Sequence, residues 1–369
     1  KFTCEKNALV SAISVASRTV AQKSTIPALE GIYIRAGVKL TLSGYNLETG
    51  ITISVDADIQ ETGACIMPSR LFFDIIRKLP DDTVSISVDE NFKVSIRGGI
   101  SSFSITAMSS EDYPELPEVD SEKGIDLPQS ELKAMIGGTS FAVSENQARP
   151  IHTGCLFEVE DDSITVVAVD GYRLALRRWK AEAPIGRTLK FVVPAAALKE
   201  AEKILGDTDE TCTFFLGSKH ILFTIGEATL VCRLLEGEFL DWRRVLPQNQ
   251  PIKLAVNVAK MTDSIERVGL IISEKLKSPV RCRFGENTAD FRSVSTIGEA
   301  HDVCQIAGDG QDMEIGFNCR YLLDALRAIP DSECSLELVN GLSPIVMNPC
   351  DGSGRYSYMV LPVRLKAGE

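Results

Sequence analysis

The residue types that most often carry enzymatic chemistry are few in this sequence, and their spacing fits none of the common catalytic motifs. Of the three histidines, His152, His220 and His301, none has a cysteine or another histidine at the spacing of a zinc site. Ten cysteines are scattered between Cys4 and Cys350 without a C-x-x-C pair, which is typical of reduced thiols in a core. No nucleotide-binding glycine loop and no G-x-S-x-G turn occurs. The sequence therefore indicates no catalytic residue, no metal and no cofactor, and it favours a binding or scaffold protein.

One short stretch, AVDGYRLALRRW at residues 168–179, carries more arginine than its structural role requires. Residues 164–169 read as a strand, and Asp170-Gly171 is a turn pair that tolerates positive φ. The alternation from Tyr172 to Trp179 predicts the returning strand. Because a hairpin needs only the turn, Arg173 directly after it is a candidate functional side chain.

The chain also repeats itself. TLSGYNLET at 41–49 is similar to AVDGYRLAL, so Gly44-Tyr45 is predicted to form the same kind of turn. A charged helix recurs as PSRLFFDIIRKLP (68–80), PAAALKEAEKILG (194–206) and NCRYLLDALRAIP (318–330). Its face is either a solvated surface with ion pairs or a functional surface, and repetition alone shows only common ancestry. The matched positions are Arg70, Asp74, Arg77 and Pro80 with Arg320, Asp324, Arg327 and Pro330, and Glu200 and Lys203 in the middle copy.

The spacing of these repeats is close to one third of the chain and predicts three similar domains. Proline-rich or polar joins near 118–127, within YPELPEVDSEKGIDLP (113–128), and near 244–252 place the domains at residues 1–120, 125–246 and 248–369. Each domain reads as helix, strands, helix, strands, with helices apart from an antiparallel sheet, so the fold class is α+β. In the helix after residue 5, an apolar stripe starts at Leu9; in the second, the buried face is predicted to include Leu71.

Bulk composition narrows the class of protein. The 369 residues are 44% hydrophobic with a net charge of −12, which indicates a soluble globular protein with sizeable cores. An acidic total argues against a binder held to nucleic acid by charge alone, although it allows a local basic surface. No membrane-spanning segment or signal peptide is evident, so we expect a cytoplasmic protein with no membrane partner.

Several separate stretches, in the same order, resemble the bacterial DNA polymerase III beta subunit family, the sliding clamps. They are DGYRLALRR, RPIHTGCLFEVEDD, FLDWRRVLP, GFNCRYLLDAL and the ending YMVLPVRL, and the similarity covers essentially the whole chain. The resemblance implies a DNA-clamp fold and a head-to-tail homodimer that forms a ring around duplex DNA. Helices would line the hole and sheets would form the outside. It implies no enzymatic activity; partners would be the DNA polymerase III catalytic subunit, a clamp loader, and other polymerases and repair proteins.

The resemblance also implies a hydrophobic groove that receives short linear peptides from these partners. Arg173 and Arg244 would offer donors to such a peptide. His152 and Leu240 depart from the residues common in the family, leucine and proline, which shifts the expected partner preference. Alternatively, apolar members such as Leu174 are ordinary core residues. The groove residues are His152, Val169, Gly171, Tyr172, Arg173, Leu174, Leu240, Arg244, Val245, Asn318, Tyr321, Leu342, Pro344, Leu361, Pro362, Val363, Arg364 and Leu365.

Contacts to DNA and between protomers follow from the same resemblance. A sliding ring needs weak attraction to phosphates without base readout, which basic residues on helices and loops supply. The expected DNA contacts are Lys23, Arg70, Arg77, Lys78, Asn146, Gln147, Arg149, Lys199 and Lys203. For the dimer, SSFSIT with Phe103 and Ile105 is expected to meet GLIISEK with Ile271 and Ile272 of the second copy.

Two other classes compete with this interpretation. One is a triplicated enzyme of nucleotide or peptide metabolism, which would need a base or a metal site that the sequence does not offer. The other is a triplicated ligand-binding or adhesion protein without a link to DNA, against which the unpaired cysteines and the lack of an export signal count. Retention on circular DNA that ends when the circle is cut separates a ring from both.

Overall fold

The structure is a computed structural model, and it describes residues 1–272 and 278–365. Helices and antiparallel strands alternate along the described chain as the repeats predict. Short 3-10 helices cover residues 17–19, 27–30, 140–142 and 150–153. The α-helices are α1 (Lys6–Ala16), α2 (Ser69–Lys78), α3 (Gln129–Gly137), α4 (Ala195–Ile204), α5 (Trp242–Val245), α6 (Val258–Gly269) and α7 (Cys319–Arg327).

The strands fall into three groups that follow the three repeats. The first group is β1 (Phe2–Glu5), β2 (Gly31–Ala36), β3 (Leu40–Tyr45), β4 (Thr49–Val55), β5 (Asp58–Ile59), β6 (Gly63–Pro68), β7 (Thr83–Val88), β8 (Lys93–Gly98) and β9 (Ser101–Thr106). The second is β10 (Ile125–Pro128), β11 (Gly154–Val159), β12 (Ser163–Val169), β13 (Arg173–Lys180), β14 (Leu189–Pro194), β15 (Thr211–Leu216), β16 (His220–Ile225) and β17 (Ala228–Arg233). The third is β18 (Ile252–Asn257), β19 (Val280–Ser295), β20 (Gly298–Phe317), β21 (Glu333–Leu338), β22 (Ile345–Asn348) and β23 (Tyr356–Val360).

By its internal contacts the chain divides into two compact units, and the first comprises residues 1–133 and 199–234. It holds a five-stranded sheet in the order β5-β1-β7-β8-β9 and an eight-stranded sheet in the order β10-β15-β16-β17-β4-β3-β2-β6. Helices α1 and α2 bury their apolar faces, including Leu9, Ile13 and Phe72, in one core with the strands of the first repeat. The expected stripe of α1 is confirmed, but Leu71 is wrong for the buried face of α2 because it is 49% exposed.

The second unit comprises residues 134–198 and 235–369, of which the described part contains one ten-stranded sheet. Its order is β14-β11-β12-β13-β23-β22-β21-β18-β20-β19. Strands β11 and β12 are buried along their whole length, which explains why they read as continuous apolar runs. Tyr356 and Tyr358 are fully buried side chains of β23 in this sheet.

Strands of consecutive repeats pair with each other inside each unit, and the two pairings have the same geometry. In the first unit β17 runs antiparallel to β4, with Leu230 opposite Ile51. In the second unit β23 runs antiparallel to β13, with Tyr358 opposite Ala175. The hydrogen-bonded sheets therefore continue across the boundaries of the sequence repeats.

The two similar hairpins are confirmed, but the prediction that Gly44-Tyr45 forms a turn is wrong, because both residues lie in β3. The turn follows at Asn46, whose Oδ1 accepts hydrogen bonds from the backbone N–H groups of Glu48 at 3.0 Å and Thr49 at 2.8 Å. Leu47 takes the positive φ of 73°. Gly44 is small for another reason: a Cβ there would lie 2.0 Å from the carbonyl oxygen of Ala16 at the end of α1.

The first predicted linker is packed against the first unit rather than open. The Tyr113 ring stacks on Tyr33 with 5.0 Å between centroids, and its hydroxyl donates to the Ser43 carbonyl at 3.4 Å. Leu116 packs over Gly50, and burial raises the pKa of the Tyr113 phenol above its ordinary value. Residues 125–128, expected to belong to this linker, form strand β10, which pairs with β15.

No helix in the described part of the chain is long and apolar enough to cross a membrane. Over the same described residues, no three or more His, Cys, Asp or Glu side chains are grouped to hold a metal ion.

Candidate functional site

The turn between β12 and β13 is built by one aspartate and one glycine. Asp170 Oδ1 accepts hydrogen bonds from the backbone N–H groups of Tyr172 at 2.9 Å and Arg173 at 3.0 Å. Gly171 takes a φ of +91°, a conformation that other residues rarely adopt. The hydrogen bonds to Asp170 therefore fix the conformation of the turn. Tyr172, which lies in it, is 63% exposed to solvent.

Beside the turn lies a cluster of buried apolar side chains, which we call the floor of the groove. Val169 and Leu174, which flank the turn, are buried in one cluster with Leu156 of β11, and Leu361 packs against the same cluster. Phe239 and Trp242, from the segment before and in α5, complete it. The alternative that Leu174 is a core residue is correct as far as its burial goes, since it is 2% exposed.

Trp242 fixes this segment through a buried carboxylate that was not singled out in the sequence. Its indole N–H donates to Glu158 Oε2 at 3.0 Å, and Arg243 donates to the same oxygen at 2.7 Å. Glu158 is 7% exposed, so its charge is balanced by Arg243 and by Lys190 at 3.3 Å. The motif FLDWRRVLP contains this anchor, but its partner is 84 residues away in sequence.

The chain end runs along the other side of the turn. The Leu361 backbone N–H donates to the Tyr172 carbonyl at 2.8 Å, and the Val363 N–H donates to the Gly316 carbonyl at 2.7 Å. Leu365 lies against Gly316, where a Cβ would come within 2.5 Å of its Cδ2 atom. The ending YMVLPVRL is thus hydrogen-bonded to the turn and to β20, and Val363 remains 37% exposed.

The guanidinium of Arg173, which was expected to offer donors to a peptide, is engaged within the protein. Its guanidinium is 8% exposed and donates to Asp170 Oδ2 at 2.9 Å, Asp324 Oδ2 at 2.6 Å and the Phe141 carbonyl at 2.6 Å. It also lies over the Tyr321 ring, 4.3 Å from the centroid. Every nitrogen of this side chain therefore has an acceptor within the protein.

Arg244 differs, because its side chain is 87% exposed and is paired only locally, with Asp241 at 3.1 Å. Its neighbours Leu240 and Val245 are 43% and 36% exposed. Leu342 is 80% exposed in the turn before β22, where Pro344 is half-buried. Apolar side chains that stay open beside a buried floor are suited to anchoring a partner's side chain.

The remaining groove candidates lie at the edges of this region. Asn318 caps α7 by accepting from the Tyr321 backbone N–H at 3.3 Å, and Tyr321 stacks on Tyr172 with 6.3 Å between centroids. Pro362 and Arg364 flank Val363, half-buried and exposed respectively. All eighteen groove candidates belong to the second unit.

His152 is half-buried beside Phe239, with 5.0 Å between ring centroids. Its Nδ1 atom is buried and has no hydrogen-bond partner among the described residues. Burial and the nearby charge of Arg149 lower the pKa of His152 below its ordinary value. The lowered pKa favours the neutral ring, which packs against Phe239.

All nine residues expected to contact DNA are exposed. Lys23 lies in the loop before residues 27–30, and Arg70, Arg77 and Lys78 lie on α2. Lys199 and Lys203 lie on α4, and Asn146, Gln147 and Arg149 lie in the loop before residues 150–153. Arg77 and Lys203 are each paired with an acid three residues earlier, at 3.3 Å to Asp74 and 2.7 Å to Glu200.

The expected dimer residues also lie near the surface. Phe103 and Ile105 lie on β9, which is the edge strand of its sheet, and Phe103 is 39% exposed. Ile271 and Ile272 follow α6 and are half-buried, while residues 273–275 of the expected GLIISEK contact lie outside the described residues.

Comparison with known proteins gives a consistent result. Family models for the N-terminal, central and C-terminal domains of the DNA polymerase III beta subunit match residues 1–117, 126–241 and 243–364. The chain is 30% identical over 377 residues to a beta sliding clamp of Staphylococcus aureus, covering 99% of both chains. It is similar in structure to a sliding clamp of Bacillus subtilis, with a TM-score of 0.93, 28% identity and 99% of each chain covered. A DNA polymerase III beta subunit of Pseudomonas aeruginosa gives 0.92 and 28%, covering 99% of this chain and 100% of that one.

Proposed function

The chain belongs to the DNA polymerase III beta subunit family, the beta sliding clamps, and we propose that two copies close head to tail into a ring around duplex DNA. The protein is a sliding clamp of DNA replication, a non-catalytic factor of α+β fold with three clamp domains. The proposal includes domain limits at 1–120, 125–246 and 248–369 and a cytoplasmic location. A ring holds DNA by topology, so the basic side chains on α2 and α4 need to attract phosphates only weakly.

One observation supports the ring most directly. Twice within the chain, the last strand of one repeat pairs with a strand of the repeat before it. In each repeat, one residue of the first strand lies opposite a residue of the next strand, and so on across four strands. Residues reached at the same step in different repeats are equivalent. They run Phe2–Ile86–Ile96–Phe103, Ile125–Phe214–Phe223–Leu230, and Leu254–Leu336–Met347–Tyr358. Phe103, Leu230 and Tyr358 are therefore equivalent, but only the last two have a strand of another repeat beside them.

Burial supports a missing neighbour at the first of these positions. Leu230 and Tyr358 are fully buried, at 0% exposure, whereas Phe103 is 39% exposed. A paired edge strand would cover Phe103 as the other two are covered. Strand β4 of the first repeat and β13 of the second already pair with β17 and β23. The equivalent strand of the third repeat, in a second copy of the chain, is therefore the expected partner of β9.

The same reasoning identifies the partner strand. Ile51 and Ala175, opposite the two buried residues, pair within their own hairpins with Gly44 and Ala168. The counterpart of Gly44 in the third repeat is Ser293, because its hydroxyl donates to the Val268 carbonyl just as Gly44 approaches the Ala16 carbonyl. Ser293 pairs with Ala300 of β20. We therefore expect Phe103 opposite Ala300 of the second copy.

This register differs from the expected contact between SSFSIT and GLIISEK, because it pairs SSFSIT with β20 of the second copy. It brings Ile100, which is 101% exposed, toward Val303, which is 45% exposed, at one end of the strand pair. At the other end it places Ile105 opposite Gly298, next to Ile297 of the turn, which is 76% exposed. Exposed aliphatic side chains thus lie at both ends of the proposed joint, and their burial would stabilise the ring.

For the groove, we propose that the buried floor and the exposed residues around the turn bind short linear peptides. The floor offers apolar contact through Val169 and Leu174, and Val363 and Leu342 remain open to a ligand. Expected ligands are segments of the polymerase III catalytic subunit, the clamp loader and other polymerases and repair proteins. No enzymatic step is assigned to this site.

The function is tested by loading the protein onto a nicked circular plasmid with a bacterial clamp loader and ATP. Gel filtration before and after cutting the circle then measures retention. We expect co-elution with the circle and release after cutting, at a salt concentration that removes charge-bound protein. Failure to load despite a competent loader and a confirmed dimer would contradict the ring.

The register is tested by cross-linking. Cysteines introduced by Phe103→Cys and Ala300→Cys should form a disulfide between protomers, because directly opposed residues in antiparallel strands lie close enough for one. The control pairs Ser104→Cys with Ala300→Cys, since a shift of one residue sends the side chains to opposite faces. Equal cross-linking of both pairs would contradict this register.

A further inference from the structure

The acidic position of the repeated helix has a structural role that the proposed function does not use. In the second repeat, Glu200 forms an ion pair with Arg18 of the first repeat, with 3.6 Å between Oε2 and Nη1. In the third repeat, Asp324 receives Arg173 from the second repeat at 2.6 Å. Both pairs join consecutive repeats, but only the second lies beside the groove.

The Arg173 pair is much more enclosed than an ordinary surface salt bridge. Arg173 is 8% and Asp324 22% exposed, and a second carboxylate, Asp170, takes the guanidinium Nε–H at 2.9 Å. Phe141 supplies a backbone carbonyl at 2.6 Å, and Tyr321 supplies a ring face. A planar guanidinium with all of its nitrogens engaged is fixed in position as well as in charge.

The carboxylates of Asp170 and Asp324 lie on the two elements that carry Tyr172 and Tyr321. We call the region beside these two stacked rings the groove mouth. Asp170 forms the turn that carries Gly171 and Tyr172, while Asp324 lies on α7, one turn after Tyr321. The rings of Tyr172 and Tyr321 stack at 6.3 Å with an interplanar angle of 27°. A bridge from Asp170 through Arg173 to Asp324 therefore connects the elements that carry the two tyrosines.

We propose that Arg173 is a positioning residue, and that the Asp170–Arg173–Asp324 bridge sets the placement of Tyr172 and Tyr321 at the groove mouth. The inference rests on the proposed peptide groove. Arg173 gives no hydrogen bond to the ligand, and Asp324, which is not among the groove residues, controls affinity through Arg173. A buried ion bridge is suited to this task because it favours one arrangement. Loss of Arg173 leaves two carboxylates uncompensated, and loss of the Asp324 charge leaves Arg173 paired with Asp170 of the turn but not with a charge on α7.

The test uses the full chain and a fluorescein-labelled peptide copied from the clamp-binding segment of a bacterial DNA polymerase III catalytic subunit. Fluorescence anisotropy gives Kd and the number of binding sites for wild type, Asp324→Asn, Arg173→Lys and the double variant. We expect about fivefold to tenfold weaker binding for each single variant, since the bridge is broken in both. The double variant should be no weaker than the worse single one, because both changes remove the same bridge.

Three controls keep the outcome specific. Asp324→Glu should restore affinity to within about twofold, because the carboxylate is kept. Glu200→Gln removes the equivalent pair of the preceding repeat and should leave Kd unchanged. An intact number of sites at reduced affinity identifies positioning, whereas general damage to the fold lowers the number of active sites. Thermal unfolding of each variant checks the same point.

The outcomes separate this inference from the groove itself. Val363→Asp alters an exposed groove residue and should abolish binding; if it does not, or if wild type does not bind the peptide, the proposed groove is overturned. If Val363→Asp abolishes binding but Asp324→Asn binds as wild type does, the groove stands and the bridge is overturned. Full, additive losses in the double variant would also overturn the bridge, because they indicate independent contacts.

Discussion

Replacing Gly44 by alanine tests the close approach of α1 to β3. The added Cβ would lie 2.0 Å from the Ala16 carbonyl oxygen and 3.0 Å from Thr19 Oγ1. A carbon and an oxygen without a bond between them normally stay above about 3.2 Å, so strand and helix end must separate by about 1 Å. That separation also strains the hydrogen bond from Thr19 Oγ1 to the Gly44 carbonyl, now 2.8 Å.

The expected loss follows from these two effects. Overpacking in a close-packed core costs about 1–3 kcal/mol, and a weakened buried hydrogen bond adds about 1 kcal/mol. The free energy of unfolding should therefore fall by about 2–4 kcal/mol. For a unit of this size, each kcal/mol lowers Tm by about 2–4 °C, so a decrease of about 4–16 °C is expected.

Thermal unfolding followed by circular dichroism measures the change. Gly63→Ala is the matched control, because Gly63 also lies in a strand of the first unit and a Cβ there meets nothing within 4 Å. It should change the free energy of unfolding by no more than about 0.5 kcal/mol. If the two variants melt at the same temperature, the argument from close approach is refuted, and Gly44 has another role.

Two further outcomes are expected. Because burial and Arg149 lower the pKa of His152, the unfolded chain takes up a proton more readily than the folded one, and stability is lost as pH falls below about 6.5. The Tm of His152→Leu relative to wild type should therefore rise as pH falls below that value; a Tm difference that does not change with pH would contradict this. Among the ten cysteines, Cys350 alone is exposed, so Ellman's reagent should modify one thiol of the native protein quickly and the others only on unfolding. Rapid reaction of several thiols, or no loss of the fast phase in Cys350→Ser, would disprove it.

Periodicity was sufficient to predict the repeated elements, because a helix stripe or an alternating strand is a local property. The helices at 69–78 and 319–327, the hairpin around Asp170-Gly171 and the α+β class are confirmed in this way. Turn identity was less secure. Gly44 and Gly171 lie in similar sequence motifs. Glycine is needed at 44 because α1 approaches closely, and at 171 because the backbone takes a positive φ.

The groove shows the limit of local reasoning more clearly. Motif resemblance identified Arg173, but it could not show whether the side chain faces a ligand or the protein. The deciding carboxylate, Asp324, is 151 residues away in sequence. Its repeat suggested only a charged helix face, and tertiary packing determined which of the equivalent acids became a bridge.

The strand pairing between β4 and β17 has a consequence for how such a chain can be divided. The first compact unit contains the first repeat together with residues 199–234 of the second, so the limits of the repeats are not the limits of the compact units. A fragment cut at the repeat boundary would lose half of an eight-stranded sheet and expose a new edge. Deleting or exchanging one repeat would therefore leave a strand of its neighbour without its partner.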